Sequence, residues 1–403
     1  MRAHSRRRLT AALAGLTVTA ATAVTGIATA VAASGVATPA IGITPDYQVA
    51  GRLSADPAGT TLPCQTTVPA TCYGPDQIRA AYGVDKLAKL GLNGAGRTIV
   101  IVDAFQSPTV AADLASFDTL FGLSAPKLNI IAPDGLTPFD QSDADQTGWA
   151  GEISLDVEWS HAIAPDATID LVLARSDQDE DLLSAQRYAI DHNLGDALSQ
   201  SFGEAEQCLD PAIAAADHEL FGKARKEGIT VFASSADQGA ALSTCDGSSF
   251  FKAASTPASD PLVTAVGGTL LNADGVTGAY HSETVWNEAD IAAASGGGFS
   301  ALYQTPGFQR GLHLPSRGVP DVAYNAGVDT GVLTVWSSSG QGDDLVFRFG
   351  GTSAGSPQWA GLAVLADQLG HHRIGYINDA LYGLAHGPLY GALYHDVTVG
   401  DNT

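Results

Sequence analysis

Basic residues are scarce in this chain. It carries 20 Lys and Arg against 43 Asp and Glu, a formal net charge of −23 at pH 7. A surface that holds nucleic acid needs the opposite balance, so that class of partner is excluded. The surplus carboxylates repel one another at neutral pH and lose much of that repulsion on protonation. The composition therefore suits work in acid, and it equally suits the ordinary acidic surface of an exported protein. Cysteine is scarce as well, at four residues, and none shows the spacing of a zinc site. No apolar run after residue 31 is long enough to cross a bilayer. There is no internal repeat, and no His-Gly-Thr-His stretch of the kind that carries a subtilisin histidine.

What is present begins with an export pattern. Residues 1–8 include four arginines, residues 9–31 are small, apolar and uncharged, and Ala28-Thr29-Ala30 offers a small-x-small cleavage site. Residues 1–33 are therefore expected to be a signal peptide. The run is also long enough for a membrane anchor, but its Ala, Thr and Gly content favours cleavage. Ser5-Arg6-Arg7 suits a twin-arginine route. The mature chain is then secreted, with no stable membrane association, and a monomer is the default. Four cysteines fit an oxidising compartment, and Cys64–Cys72 with Cys208–Cys245 is the economical pairing. Residues 34–70, rich in Ala, Thr, Pro and Gly, read as a linker or short arm, and 71–403 as one domain.

Within that domain apolar runs alternate with helical patterns. "TIVIVDAF", "ATIDLVLA", "DALSQSFG", "ITVFASSAD", "PLVTAVGGT" and "DDLVFRF" read as strands. "TVAADLASFDTLFG", "DLLSAQRYAIDHN" and "PQWAGLAVLADQLG" read as helices, and residues 146–164 as an amphipathic helix. Asp210 and Pro211 open a further helix that stops at Gly228. This alternation predicts an α/β fold with a mostly parallel sheet covered on both faces. Reactive groups in such sheets gather where strands end and helices begin.

Three groups of residues stand out there. Glu152 and Asp156 lie four apart on one helix face, among Trp149, Ile153, Leu155, Val157 and Trp159. Two acids held together in a poorly hydrated place push one pKa up, so one acts as base while the other orients it. A solvated acidic face is the plainer reading of such a pair. Asp237 follows a strand in "FASSADQGA"; it is a turn residue or, if protonated, a donor to an oxyanion. Ser353 sits in "GGTSAGSPQWAG" between strand and helix, where a helix N-terminus favours negative charge. Gly-Thr-Ser-Ala-Gly also fits the nucleophile elbow of esterases. That reading needs Asp379 or Asp396 with His386 or His395, from the fifty residues that remain. A subtilisin-type reading takes Asp103 as its acid, with His161 as the nearest histidine; His161 reads more naturally as structural.

Together "GEISLDVEWSHAIAPDATI", "SQSFGEAE", "VFASSADQGA", "ASGGGFS", "RGVPDVAYNA" and "GGTSAGSPQWAG" resemble the sedolisins, the serine-carboxyl peptidases, from about residue 70 onward. The resemblance implies a subtilisin-like three-layer sandwich and hydrolysis of polypeptides at acidic pH. It implies Ser353 as nucleophile, Glu152 as general base, Asp156 as its partner and Asp237 as oxyanion donor. Ser201, Phe202 and Gly203 would pair with the substrate backbone. Ser234 and Ser235 would line a pocket near Gly297 and Gly298. Asp103 would support Asp156, or be a turn residue. Calcium is expected from the family, with Asp396 and Val397 as half of its site.

The sequence departs from the family pattern in several places. Only about forty residues stand where a long prodomain is usual. Ala236 replaces a frequent Gly, and Phe202 a frequent Trp. The Gly-rich, Asp-containing loop of the other calcium half does not occur before Thr403, so weak or absent calcium binding is expected. A sedolisin-like binding module without activity, and a secreted esterase, are the competing readings.

Overall fold

Residues Ile99 to Val102 are all β-branched, which crowds a helix and suits a pleated strand. In the computed structural model they form the strand Thr98–Ala104, which is buried almost throughout. The structure describes residues 46–53, 59 and 61–403. The expected signal peptide lies outside the described residues, as does part of the 34–70 arm.

Seven strands run in the order Tyr280–Val285, Thr264–Ala273, Thr230–Ser234, Ala197–Gln200, Thr98–Ala104, Thr168–Ala174, Lys127–Ile131. An eighth, Val322–Asn325, lies parallel to Thr264–Ala273. Only the Thr264–Ala273 and Tyr280–Val285 pair is antiparallel. Helices Val110–Phe121, Ala144–Ile163 and Gly355–Gly370 share one apolar core with the sheet. Helices Asp179–Asp191 and Pro211–Glu227 share a second core with its opposite face. Asp210 caps the latter, its carboxylate accepting from the Ala212 N–H at 2.7 Å, and the helix ends at Gly228. The result is a subtilisin-like α/β sandwich. Among the described residues no helix is long and apolar enough to cross a membrane.

The helix Ala144–Ile163 departs from the amphipathic expectation. From Gly148 to Ile163 every residue is buried. A second sheet explains why: Tyr47–Arg52, Leu345–Phe349, Gly331–Val335 and Cys72–Tyr73 lie next to one another in that order. It covers the side of the helix turned away from the central sheet. The Trp159 indole donates to the Leu333 carbonyl at 3.1 Å, and Glu158 accepts from the Val335 N–H at 2.9 Å. Residues 34–70 thus include a strand of this sheet. Burying Trp149, Ile153, Leu155, Val157 and Trp159 contributes on the order of 10 kcal/mol before chain entropy. That gain can offset burying the neutral acids Glu152, Asp156 and Glu158, but not three unpaired carboxylates.

Both disulfides have the economical pairing. Cys64–Cys72 closes the start of the domain, with Cα atoms 5.4 Å apart, and Cys208–Cys245 joins two loops, at 5.2 Å.

Candidate active site

Parallel strands bring their carboxyl ends to one edge of the sheet, and the singled-out residues collect there. Asp103 is the last residue but one of the strand Thr98–Ala104. Ser201 follows Ala197–Gln200, and Asp237 follows Thr230–Ser234 by three residues. Glu152 and Asp156 face them from the buried helix. Ser353 lies in the short turn Thr352–Ala354, which leads directly into helix Gly355–Gly370.

The Ser353 side chain is nearly enclosed, and its hydroxyl rests 3.4 Å from the Ser201 carbonyl. That contact is long for an O–H···O bond and leaves the hydroxyl easily recruited. Glu152 is the acid that feels it. Burial pushes the Glu152 carboxyl well above its ordinary range, a hydrogen bond from Ser353 draws it partly back, and Asp103 and Asp237 push it up again. Asp156 is also raised well above its ordinary range, by burial and then by Asp103 and Glu152, against a 2.9 Å bond from the Ser201 hydroxyl. Asp103 has no hydrogen-bond partner on either oxygen, and burial alone pushes it up to about 8. Among the described residues no Lys, Arg or His bonds to these three acids, and burial together with their mutual repulsion favours the protonated form of each.

Asp237 is held against the residues that precede Ser353. Its Oδ1 accepts from the Thr352 N–H at 2.8 Å and the Thr352 hydroxyl at 2.7 Å. Burial raises its pKa, and the two Thr352 bonds oppose the rise. A side chain at Gly351 would begin 2.7 Å from Asp237 Oδ2, and Gly351 has φ +96°, so glycine is needed there on both counts. Thr352 is the partner the sequence reading missed. Its signal was adjacency to Ser353, which a local motif does not distinguish from a turn residue.

The remaining residues fall around this centre. Phe202 is buried with its ring 6.1 Å from Trp149, and Gly203 packs on the Thr256 carbonyl. Ser234 and Ser235 are buried, and the Ser235 hydroxyl donates to the Gly296 carbonyl at 2.8 Å. Gly297 therefore follows directly on a residue held against Ser235, while Gly298 is engaged in a short ladder with Val319. His161 is enclosed, with Nε2 3.0 Å from both the Ser124 carbonyl and Asp118. His395 contacts Glu283 at 3.2 Å, His386 lies beside Gly311, and Asp379 lies 3.9 Å from Arg225.

Asp396 and Val397 lie apart from this centre. Asp396 is exposed and accepts from the Tyr390 hydroxyl at 2.8 Å. Among the described residues no three His, Cys, Asp or Glu side chains gather as metal ligands. Calcium takes six or more oxygens, and this donor set does not supply them.

A buried serine at a helix start, beside several acids on a subtilisin-like sheet, defines a class, and known proteins of that class align with the chain. No family model matches it. Kumamolisin of Bacillus sp. (strain MN-32) is 33% identical over 343 residues, covering 82% of this chain and 58% of kumamolisin. Sedolisin of Pseudomonas sp. (strain 101) is 32% identical over 327 residues, covering 76% and 53%. The solved structure of Pseudomonas sedolisin, a serine-carboxyl proteinase complexed with pseudo-iodotyrostatin, superposes with a TM-score of 0.71 at 25% identity. It covers 82% of this chain and 89% of that one. The chain belongs to the sedolisin family. It spans a little over half the length of these curated relatives.

Proposed function

We propose that this chain is a secreted serine-carboxyl endopeptidase that hydrolyses polypeptides in acid through an acyl-enzyme on Ser353. The observation that carries the reading is the Ser353 hydroxyl hydrogen-bonded to the buried carboxyl of Glu152, with Asp237 bonded to the adjoining Thr352. Ser353 Oγ attacks the scissile carbonyl carbon, and its proton passes to Glu152. The oxyanion that forms accepts a hydrogen bond from protonated Asp237. Collapse breaks the C–N bond, and Glu152 returns its proton to the departing amine. Water then attacks the acyl-enzyme by the same route in reverse. Asp156, backed by Asp103, shares protons with Glu152 and holds it in place. Raising the pH ionises Asp237 and turns a donor into a repelling charge, so activity falls on the alkaline side.

Relatives named as a serine-carboxyl proteinase and a tripeptidyl-peptidase support the reaction class, and the contacts of His395 with Glu283 and of Asp379 with Arg225 weigh against the esterase reading. The export pattern supports secretion. The direct test is hydrolysis of a denatured protein from pH 2 to 8 by the parent chain and by Glu152→Gln. The parent should peak in acid, and the variant should lose about 10²-fold or more. Equal activity of the two would remove Glu152 as the base. Activity of neither would favour the inactive binding module.

A further inference from the structure

The end of the strand Ala197–Gln200 touches both the turn that carries Ser353 and the helix that carries the acids. Ser199 is fully enclosed, and its hydroxyl meets that of the equally enclosed Ser356 at 2.8 Å. Ser201, two residues on, is buried as well. Its carbonyl stands 3.4 Å from the Ser353 hydroxyl, and its own hydroxyl donates to Asp156 Oδ1 at 2.9 Å. The other contact of that hydroxyl, to the Ser353 carbonyl, is long at 3.4 Å. Among the described residues Ser201 is the one side-chain donor bonded to Asp156. Asp156 Oδ2 and Glu152 Oε1 are enclosed without a hydrogen-bond partner.

We infer that Ser201 is a positioning residue for the reaction: its hydroxyl favours the ionised form of Asp156, so that the acid pair beside Ser353 keeps a working base at low pH. The inference rests on the peptidase reading. It gives a side-chain role to a residue expected to pair with substrate through its backbone. The hydroxyl donates to Asp156 in either protonation state. A bond to the charged acid is about twice as strong as one to the neutral acid, so the difference works for ionisation.

The ionisable groups that face Asp156 work the other way. After burial, Asp103 from the strand Thr98–Ala104 and Glu152 from the same helix hold its proton on, and the Ser201 bond opposes them. Glu152 stands likewise: burial, Asp103 and Asp237 hold its proton on, and the Ser353 bond opposes them. One serine hydroxyl thus serves each acid. Ser353 gives its proton up in the first step, whereas Ser201 keeps its own throughout. The acids share protons, so losing the Ser201 bond moves the ionisation of the pair and not of Asp156 alone.

The test compares Ser201→Ala, Ser201→Thr and Ser199→Ala with the parent chain. The acid limb of the kcat profile should move up by about one pH unit in Ser201→Ala, the difference between a charge-assisted and a neutral bond. Ser201→Thr keeps a hydroxyl and should restore the limb. Ser199→Ala removes an equally buried hydroxyl of the same strand, one bonded to Ser356 and not to an acid, and should leave the limb in place. Carbon-13 NMR of aspartate-labelled Ser353→Ala chains needs no turnover. The Asp156 carboxyl signal, assigned by its loss in Asp156→Asn, should titrate about one unit higher once Ser201 is also replaced by alanine. A limb or an Asp156 midpoint that stays put in Ser201→Ala overturns the inference, and so does an equal shift in Ser199→Ala. A parent chain without cleavage would defeat the peptidase reading, and the Asp156 midpoint would then decide the role of Ser201 by itself.

Discussion

Asp321 and Asp156 are both enclosed acids, and the protein treats them in opposite ways. Asp321 is met by Arg317 through two bonds of 2.6 and 2.5 Å, with both side chains fully buried. The Tyr382 hydroxyl and the Ala265 N–H also donate to it. Asp156 receives one serine hydroxyl and faces two more acids. The first arrangement cancels a charge and fixes a loop. The second withholds every counter-charge, and so keeps protons among the acids beside Ser353. A buried carboxyl with a cation is structural; a buried carboxyl among other acids is a proton store.

The largest effect should come from breaking the second arrangement at its centre. Ser353→Ala should lower turnover by on the order of 10⁴- to 10⁶-fold, as loss of a covalent nucleophile does. Stability should change by about 1 kcal/mol or less, since the hydroxyl removed makes one hydrogen bond to Glu152 and one long contact to the Ser201 carbonyl. Single-turnover kinetics together with urea unfolding of both chains separate the two effects.

Next in size is a matched pair of substitutions. Asp321→Asn leaves Arg317 enclosed without its carboxylate and should cost about 3–5 kcal/mol of stability. Asp156→Asn is nearly isosteric with the protonated acid. At pH 4 it should change stability by about 1 kcal/mol or less, while turnover falls about 10²-fold or more. Urea midpoints and turnover on both variants decide the matter. If Asp156→Asn unfolded the chain as readily as Asp321→Asn, the contrast between the two acids would collapse.

Much of this was legible in the sequence. The central strand declared itself through Ile99 to Val102, and the helix carrying Glu152 and Asp156 through its length and pattern. What stayed hidden depends on segments far apart in the chain. The Thr352 bonds to Asp237 span 115 positions, and the Ser201 bond to Asp156 spans 45. The edge strand Lys127–Ile131 is only lightly covered, so its side chains give no strong apolar signal. The amphipathic reading of Ala144–Ile163 failed because two sheets sandwich the helix. Its polar residues are then inside, which a pattern built for surface helices does not anticipate.

A broader and shallower effect is expected from pH. Acids whose folded pKa is raised bind protons more tightly when folded. Their contribution to stability is complete below about pH 4 and is lost as pH rises through the folded values. Those values are about 6 for Asp46, Asp179 and Asp367, about 7 for Asp217, and about 8 for Asp103 and Glu204. Exposed Asp246, held down to about 2 by Thr244 and Ser248, works in the opposite sense, but only as pH falls below 4. The urea midpoint should therefore decline steadily from pH 4 to pH 8. A midpoint that is flat or rising over that range would mean the buried acids are already ionised or paired.

The smallest effect belongs to the loop that presents Asp237. Ala236 has φ +82°, a left-handed conformation that a Cβ disfavours by about 1–2 kcal/mol. Glycine removes that penalty but adds about 0.5–1 kcal/mol of chain entropy to be lost on folding. Ala236→Gly should therefore stabilise the chain slightly, by about 1 kcal/mol at most. Its effect on turnover is the sharper reading. The Ala236 carbonyl accepts from the Gly296 N–H, and Asp237 is held by Thr352, so the carboxyl is fixed from both sides. Turnover should stay within about 3-fold of the parent if those bonds set its position. A larger fall, with unchanged stability, would mean that the strained backbone at Ala236 itself aims Asp237 at the oxyanion.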